Sequence, residues 1–214
     1  MAVLVVCTAW TGAARSAPAL TAQQQTELAT LKGQLADPDR TAKTKREAAL
    51  LLLTRPYPQA GELLAAFLAN PANRAAQIAI TEAVSESGIV KVEFVDPLMA
   101  MLTGTEPSLR VPAAKALAAA RNFGVLDRFA KLLGDAKTDR AICLAVVGAL
   151  GRILDKQAVD LLIGLLGNRD EPIRNAACDS LAKLTSIRAF GRDSRQWRKW
   201  WRENKDKKQS DWLA

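Results

Sequence analysis

The chain has 214 residues, 49% of them hydrophobic but only 5% aromatic, so one domain or one short array with an alanine- and leucine-filled core is within reach. It contains no histidine, which removes Ser-His-Asp and Cys-His catalysis, His-ligated zinc or haem, and the usual proton shuttle near neutral pH. The net charge of +8 is concentrated at the ends, with +5 in residues 187–214 and one more from Arg15, leaving +2 for residues 16–186 and disfavouring a groove that tracks phosphates.

Residues 2–10 form a short apolar run followed by small residues, and cleavage after Ala14 or Ala19 satisfies the small-x-small rule. The expectation is a signal peptide over residues 1–19 and a periplasmic or secreted protein, although nothing basic precedes Val3. The alternative is an apolar terminus packed on the first repeat, in a cytoplasmic protein. Since the run falls short of the ~20 apolar residues that span a bilayer, no transmembrane segment is expected.

An acidic or amide residue followed by proline then recurs as Asp37-Pro38, Asn70-Pro71, Glu106-Pro107 and Glu171-Pro172, at intervals of 33, 36 and 65 residues, the last two repeats long. Such a residue is suited to, or tolerated at, a helix N-cap, and proline at the first helical position loses no hydrogen bond. An arginine follows near each start (Arg46, Arg74, Arg110, Arg174), with Arg140 in the gap. A ladder of these arginines onto turn carbonyls or the acidic residues Asp135 and Asp170 is expected.

The 3.6-residue period predicts helices over 22–36 and 39–54 in repeat one, which ends at Arg55-Pro56-Tyr57-Pro58. Repeat two carries Leu63, Leu64, Phe67 and Leu68, then Ile78, Ile80 and Val84, and closes at Gly88. Repeat three carries Val95, Leu98, Met99 and Leu102, then Leu109, Ala113, Ala114 and Leu117. Pro112 would sit about six residues into that second helix, so a kink or a later start is expected there. Repeats four and five span about 124–154 and 156–185, and Cys143 and Cys178 fall where other repeats place small core residues such as Ala49 and Ala113. About five helix pairs of this size predict an all-α solenoid, whose units stack because none buries its own apolar face alone.

Residues 158–181, through Leu161-Leu162, Asp170-Glu171-Pro172-Ile173-Arg174 and Ala176-Ala177-Cys178, resemble HEAT repeats, and residues 125–150 do so more loosely through Leu132-Leu133-Gly134-Asp135 and Arg140 to Leu150. The resemblance covers about 22–186, with repeats one and two departing through irregular spacing and through Gln77 and Thr81 at usually apolar positions. It implies a right-handed, armadillo-like superhelix with the second helices on the concave side, and members that mostly bind other proteins.

After Thr185 the pattern changes. Asp193 with Gln196 reads as a capping box opening a last helix, on which Trp197, Trp200 and Trp201 share one face and Arg195, Arg198, Lys199 and Arg202 turn largely to water. With Phe190 and Gly191 this stretch resembles the Phe-Gly and Trp-x-x-Trp-Trp ending of some bacterial HEAT-repeat proteins, which implies a terminal cap over residues 187–214. An aromatic and basic strip that binds nucleic acid or anionic headgroups is the competing reading.

The leading function is a non-catalytic scaffold, monomeric or within a larger complex, binding an unidentified protein partner on the concave surface without cofactor or metal. Candidate contacts are Glu82, Glu86, Lys115, Asn175, Asp179 and Lys183. Nucleic-acid binding is disfavoured because basic and aromatic residues are mostly terminal. A lyase of the HEAT type has no histidine and a single tyrosine to work with.

Overall fold

A computed structural model describes residues 19–208. All but the last residue of the expected signal peptide lies outside the described residues. Eleven α-helices occur among those described: α1 (Ala22–Ala36), α2 (Ala42–Thr54), α3 (Pro58–Ala69), α4 (Arg74–Ser87), α5 (Val95–Thr103), α6 (Pro107–Ala119), α7 (Val125–Gly134), α8 (Arg140–Leu150), α9 (Lys156–Leu165), α10 (Glu171–Thr185) and α11 (Ser194–Asn204). No described residue lies in a strand.

The first ten helices form five pairs. Even-numbered helices stack on one another from α2 to α10 as one layer, and odd-numbered helices form a second layer beside it. Both layers bury leucine and other large aliphatics, but the buried alanines are concentrated in the even layer. The even layer buries Ala48, Ala49, Ala83, Ala113, Ala114, Ala116, Ala149 and Ala177, whereas the odd layer buries Leu35, Leu64, Phe67, Leu98, Leu102, Phe129 and Leu162. Alanine lets helix axes approach toward the lower end of the usual 8–10 Å. At one close contact, Gly151 leaves room for Ser180, whose Cβ lies 2.8 Å from where a Cβ added to Gly151 would stand. Ser180 Oγ there donates to the Val147 carbonyl at 3.0 Å. The even layer is therefore the compressed, inner side of the array.

Turn chemistry departs in part from the expected pattern. Glu106 caps α6 with Pro107 in the first turn. Asn70 caps a short 3-10 turn ahead of α4. In α10 the cap is Asp170, so Glu171 and Pro172 sit inside the first turn. Asp37 instead ends α1, and α2 starts at residue 42 rather than 39, behind Thr41. Asp37 Oδ1 accepts from the Asp39 amide at 2.9 Å in an Asx turn, and the cap of α2 falls to Thr41, whose Oγ1 accepts from the Thr44 amide at 3.2 Å. The later start expected around Pro112 is absent as well, since α6 runs unbroken from Pro107 to Ala119. Only one intrahelical bond is lost there, and α6 is clamped between α4 and α8.

The arginines form a ladder between repeats. Arg46 reaches Glu86 at 3.8 Å, Arg74 reaches Glu106, Arg110 reaches Asp139 at 3.2 Å and Arg140 reaches Asp170 at 3.0 Å. Arg174 donates to the carbonyls of Asn168 and Arg169 at 2.7 and 3.0 Å. Asp135 does not join the ladder, because its carboxylate accepts from the Lys137 amide within its own turn. The buried Lys45, unanticipated from sequence, donates to the Leu35 carbonyl at 2.8 Å and to that of Asp37, satisfying the end of α1. Gln77 and Thr81, buried at apolar positions, bond the carbonyls of Leu68 and Ile78.

Helix α11 stacks on α9 and so extends the odd layer. Asp193 accepts from the amides of Arg195 and Gln196 at 2.8 and 3.2 Å, and Gln196 Nε2 returns to the Asp193 carboxylate rather than to its backbone, so the expected capping box is only half formed. The Gln196 bonds, followed by that from Arg195, hold the Asp193 carboxyl below its ordinary 3.8. Trp197 is fully buried, donates its indole N–H to the Gly191 carbonyl at 3.0 Å and meets Phe190 edge-on. Gly191 has φ of +50°, a turn that a side chain would strain. Trp201 is buried with its indole on Asp160 at 2.6 Å, and Trp200 is half-buried against Trp197.

Two stability measurements test this packing. Arg110 has a side chain only 15% exposed against 57% for Arg140. Urea unfolding should show a loss of about 1–3 kcal/mol for Arg110→Ala, from charged hydrogen bonds and stem packing, and under about 1 kcal/mol for Arg140→Ala. Trp197→Ala should cost about 3–5 kcal/mol in the same assay.

Candidate interaction groove

On the inner layer, residues four apart share a face. This pairs Glu82 with Glu86 on α4 and Asp179 with Lys183 on α10, and Arg152 follows in the turn just after α8. Lys115 stands between the two pairs on α6. A cavity of about 330 Å³ is lined by Arg46, Thr81, Glu82, Ser85, Glu86, Pro112, Lys115 and Arg152. Through the shared Ser85, Lys115 and Arg152 it runs on into one of about 570 Å³ that adds Gly88, Ala118, Ala119, Asn122 and Lys183. Arg152 Nη2 donates to Ser85 Oγ at 3.5 Å, although these residues belong to repeats two apart.

The two halves of the groove differ in charge. One cavity holds Glu82 and Glu86, the latter near Arg46, beside Lys115 and Arg152. In the other, Lys115, Arg152 and Lys183 converge with Asn122 and Ser85 and with no carboxylate among the lining residues. Among the described residues none of these three cations has an ion-pair partner.

Of the residues expected from sequence, Glu82, Glu86, Lys115 and Lys183 thus come together. Asp179 is held by Arg192 at 3.2 Å and lines a separate cavity of about 390 Å³ with Ala182, Lys183, Ser186 and Arg188. Asn175 is half-buried on α10 and lines neither half of the groove. Sequence reading missed Ser85, Asn122 and Arg152. Arg152 was detectable, because it stands thirteenth from the start of α8 as Lys183 does from the start of α10. Irregular repeat spacing hides that register until the helix starts are known.

No group of His, Cys, Asp or Glu among the described residues could hold a metal. Cys143 and Cys178 are free and buried, with thiols pushed up in pKa first by that burial and next by Asp139 and Asp179 respectively. They act as small hydrophobes.

Five stacked pairs with an inner groove define an α-solenoid. The family model that matches is that of HEAT repeats, over residues 95–182, so the resemblance in residues 125–150 and 158–181 stands within the matched span. HEAT repeats generally mediate protein–protein interaction and are typically non-catalytic. No curated protein matches the sequence. Among solved structures, the crystal structure of an engineered protein is similar at 22% identity over 75% of this chain and 80% of that one, with a TM-score of 0.42. A likeness that loose has no bearing on function.

Gly148, exposed within α8, leaves open space where a Cβ would meet nothing within 4 Å. Gly148→Ala should therefore raise unfolding stability by about 0.5–1 kcal/mol, measured by urea denaturation.

Proposed function

We propose that this chain is a non-catalytic scaffold that holds a protein partner along its inner face. The solenoid of residues 22–186 supplies the surface, and residues 187–208 close the odd layer with Trp197 and Trp201. The observation that carries this reading is the continuous groove from Arg46 on α2 to Lys183 on α10, lined largely by polar side chains that do no core packing. A surface assembled from several repeats offers an extended segment many weak contacts at once.

A photocross-linking residue placed at Ala119, in the groove, and at Val92, on the turn before α5, tests the reading in native cell extract. Protein adducts should form from Ala119 and not from Val92. Equal labelling at both positions, or none from Ala119, would reject it.

A further inference from the structure

We infer that the Lys115–Arg152–Lys183 end of the groove is the seat of an acidic peptide segment, whose carboxylates these three side chains hold. The inference rests on the scaffold reading and names the chemistry of its partner. Among the described residues, the repeat arginines Arg46, Arg74, Arg110 and Arg140 each hold a carboxylate of the next repeat. Among the same residues, Lys115, Arg152 and Lys183 hold none. Three cations from three successive repeats line one cavity that has no carboxylate among its lining residues. Lys115 and Arg152 also line the cavity of Glu82 and Glu86, and Lys183 that of Asp179, but within the shared cavity an entering carboxylate relieves their repulsion. Arg152 provides a planar fork for bidentate contact, the lysines provide mobile point charges, and Asn122 and Ser85 provide neutral hydrogen-bonding groups for a peptide backbone.

Nucleic acid would also bring negative charge, yet the groove suits it poorly. No aromatic side chain lines either cavity, so bases have no stacking platform. Glu82 and Glu86 line the adjoining cavity beside Lys115 and Arg152, where they repel a polymer that is negative at every unit. A peptide can place acidic residues at one end and neutral or basic ones at the other. With inner helices about 8 Å apart, the four spacings from α2 to α10 give a track of about 30 Å, the length of roughly nine extended residues.

The test is fluorescence anisotropy on the full chain at low ionic strength, with three labelled probes of similar length: a peptide of four glutamates followed by Gly-Ser residues, its lysine counterpart, and oligo-dT. The glutamate peptide should bind and the lysine peptide should not. Arg152→Glu and Lys183→Glu should each weaken Kd by about tenfold or more, while Lys131→Glu on the exposed side of α7 should leave it within about twofold. Because all three positions are exposed, melting temperatures close to that of the unsubstituted chain should accompany the result. The proposal is overturned by failure of the glutamate peptide to bind, by an equal effect of Lys131→Glu, or by tighter oligo-dT binding that Arg152→Glu abolishes. If Ala119 adducts persist while the glutamate peptide fails, the charge assignment falls and the scaffold reading stands. Loss of the Ala119 adducts overturns the scaffold reading itself.

Discussion

The concentration of buried alanine in one of the two helix layers is the constraint on which the rest of this structure depends. Alanines let α2, α4, α6, α8 and α10 pack closely, while leucine and phenylalanine hold the odd-numbered helices further out. Each repeat is therefore a wedge, and stacked wedges curve. On the inner side Arg152 reaches Ser85 across an intervening repeat, and residues from α4, α6 and α10 gather around one cavity. Enlarging an inner alanine would disturb both packing and groove, because the same contact sets the spacing of each.

Polar interactions do a different job. Burying a leucine is worth about 1.5–3 kcal/mol, whereas an exposed ion pair contributes about 0–1 kcal/mol. The ladder from Arg46 to Asp170 therefore adds little stability at most of its rungs, but each rung joins one repeat to the next. A helix slipped by one turn on its neighbour would retain much of its apolar contact and lose its rung. Register is what the ladder protects, and the groove needs register, since its lining side chains come from different repeats.

The fold was legible in the sequence because its cause is periodic. Apolar stripes, a recurring turn and a run of small residues each appear several times, so local irregularity at Asp37 or Pro112 shifts a boundary without changing the architecture. The groove was legible only in part. Lys115 and Lys183 stood out as polar residues off the apolar stripe, but Arg152 follows the glycine that ends α8 and reads as part of a loop. Asp179 illustrates the opposite error: its place on the helix face suits a contact, yet Arg192 from the nonperiodic segment claims it. Partnerships between a repeat and what lies outside the repeat leave no periodic trace.

Charge summed over a segment is a weaker guide than charge sorted by curvature. Residues 16–186 carry only +2, which argues against a phosphate-tracking surface. That near-neutral sum conceals a groove in which Glu82 and Glu86 line one cavity only, while Lys115 and Arg152 line both and Lys183 the second. A uniformly basic groove would hold any polyanion by counterion release and discriminate little among them. Cavities of unlike charge discriminate, because a ligand must match both, and the glutamates penalise those that satisfy only the cations. The same arrangement keeps the array's net charge low, so specificity is reached without the self-repulsion that a basic inner face would impose on helices held this close together.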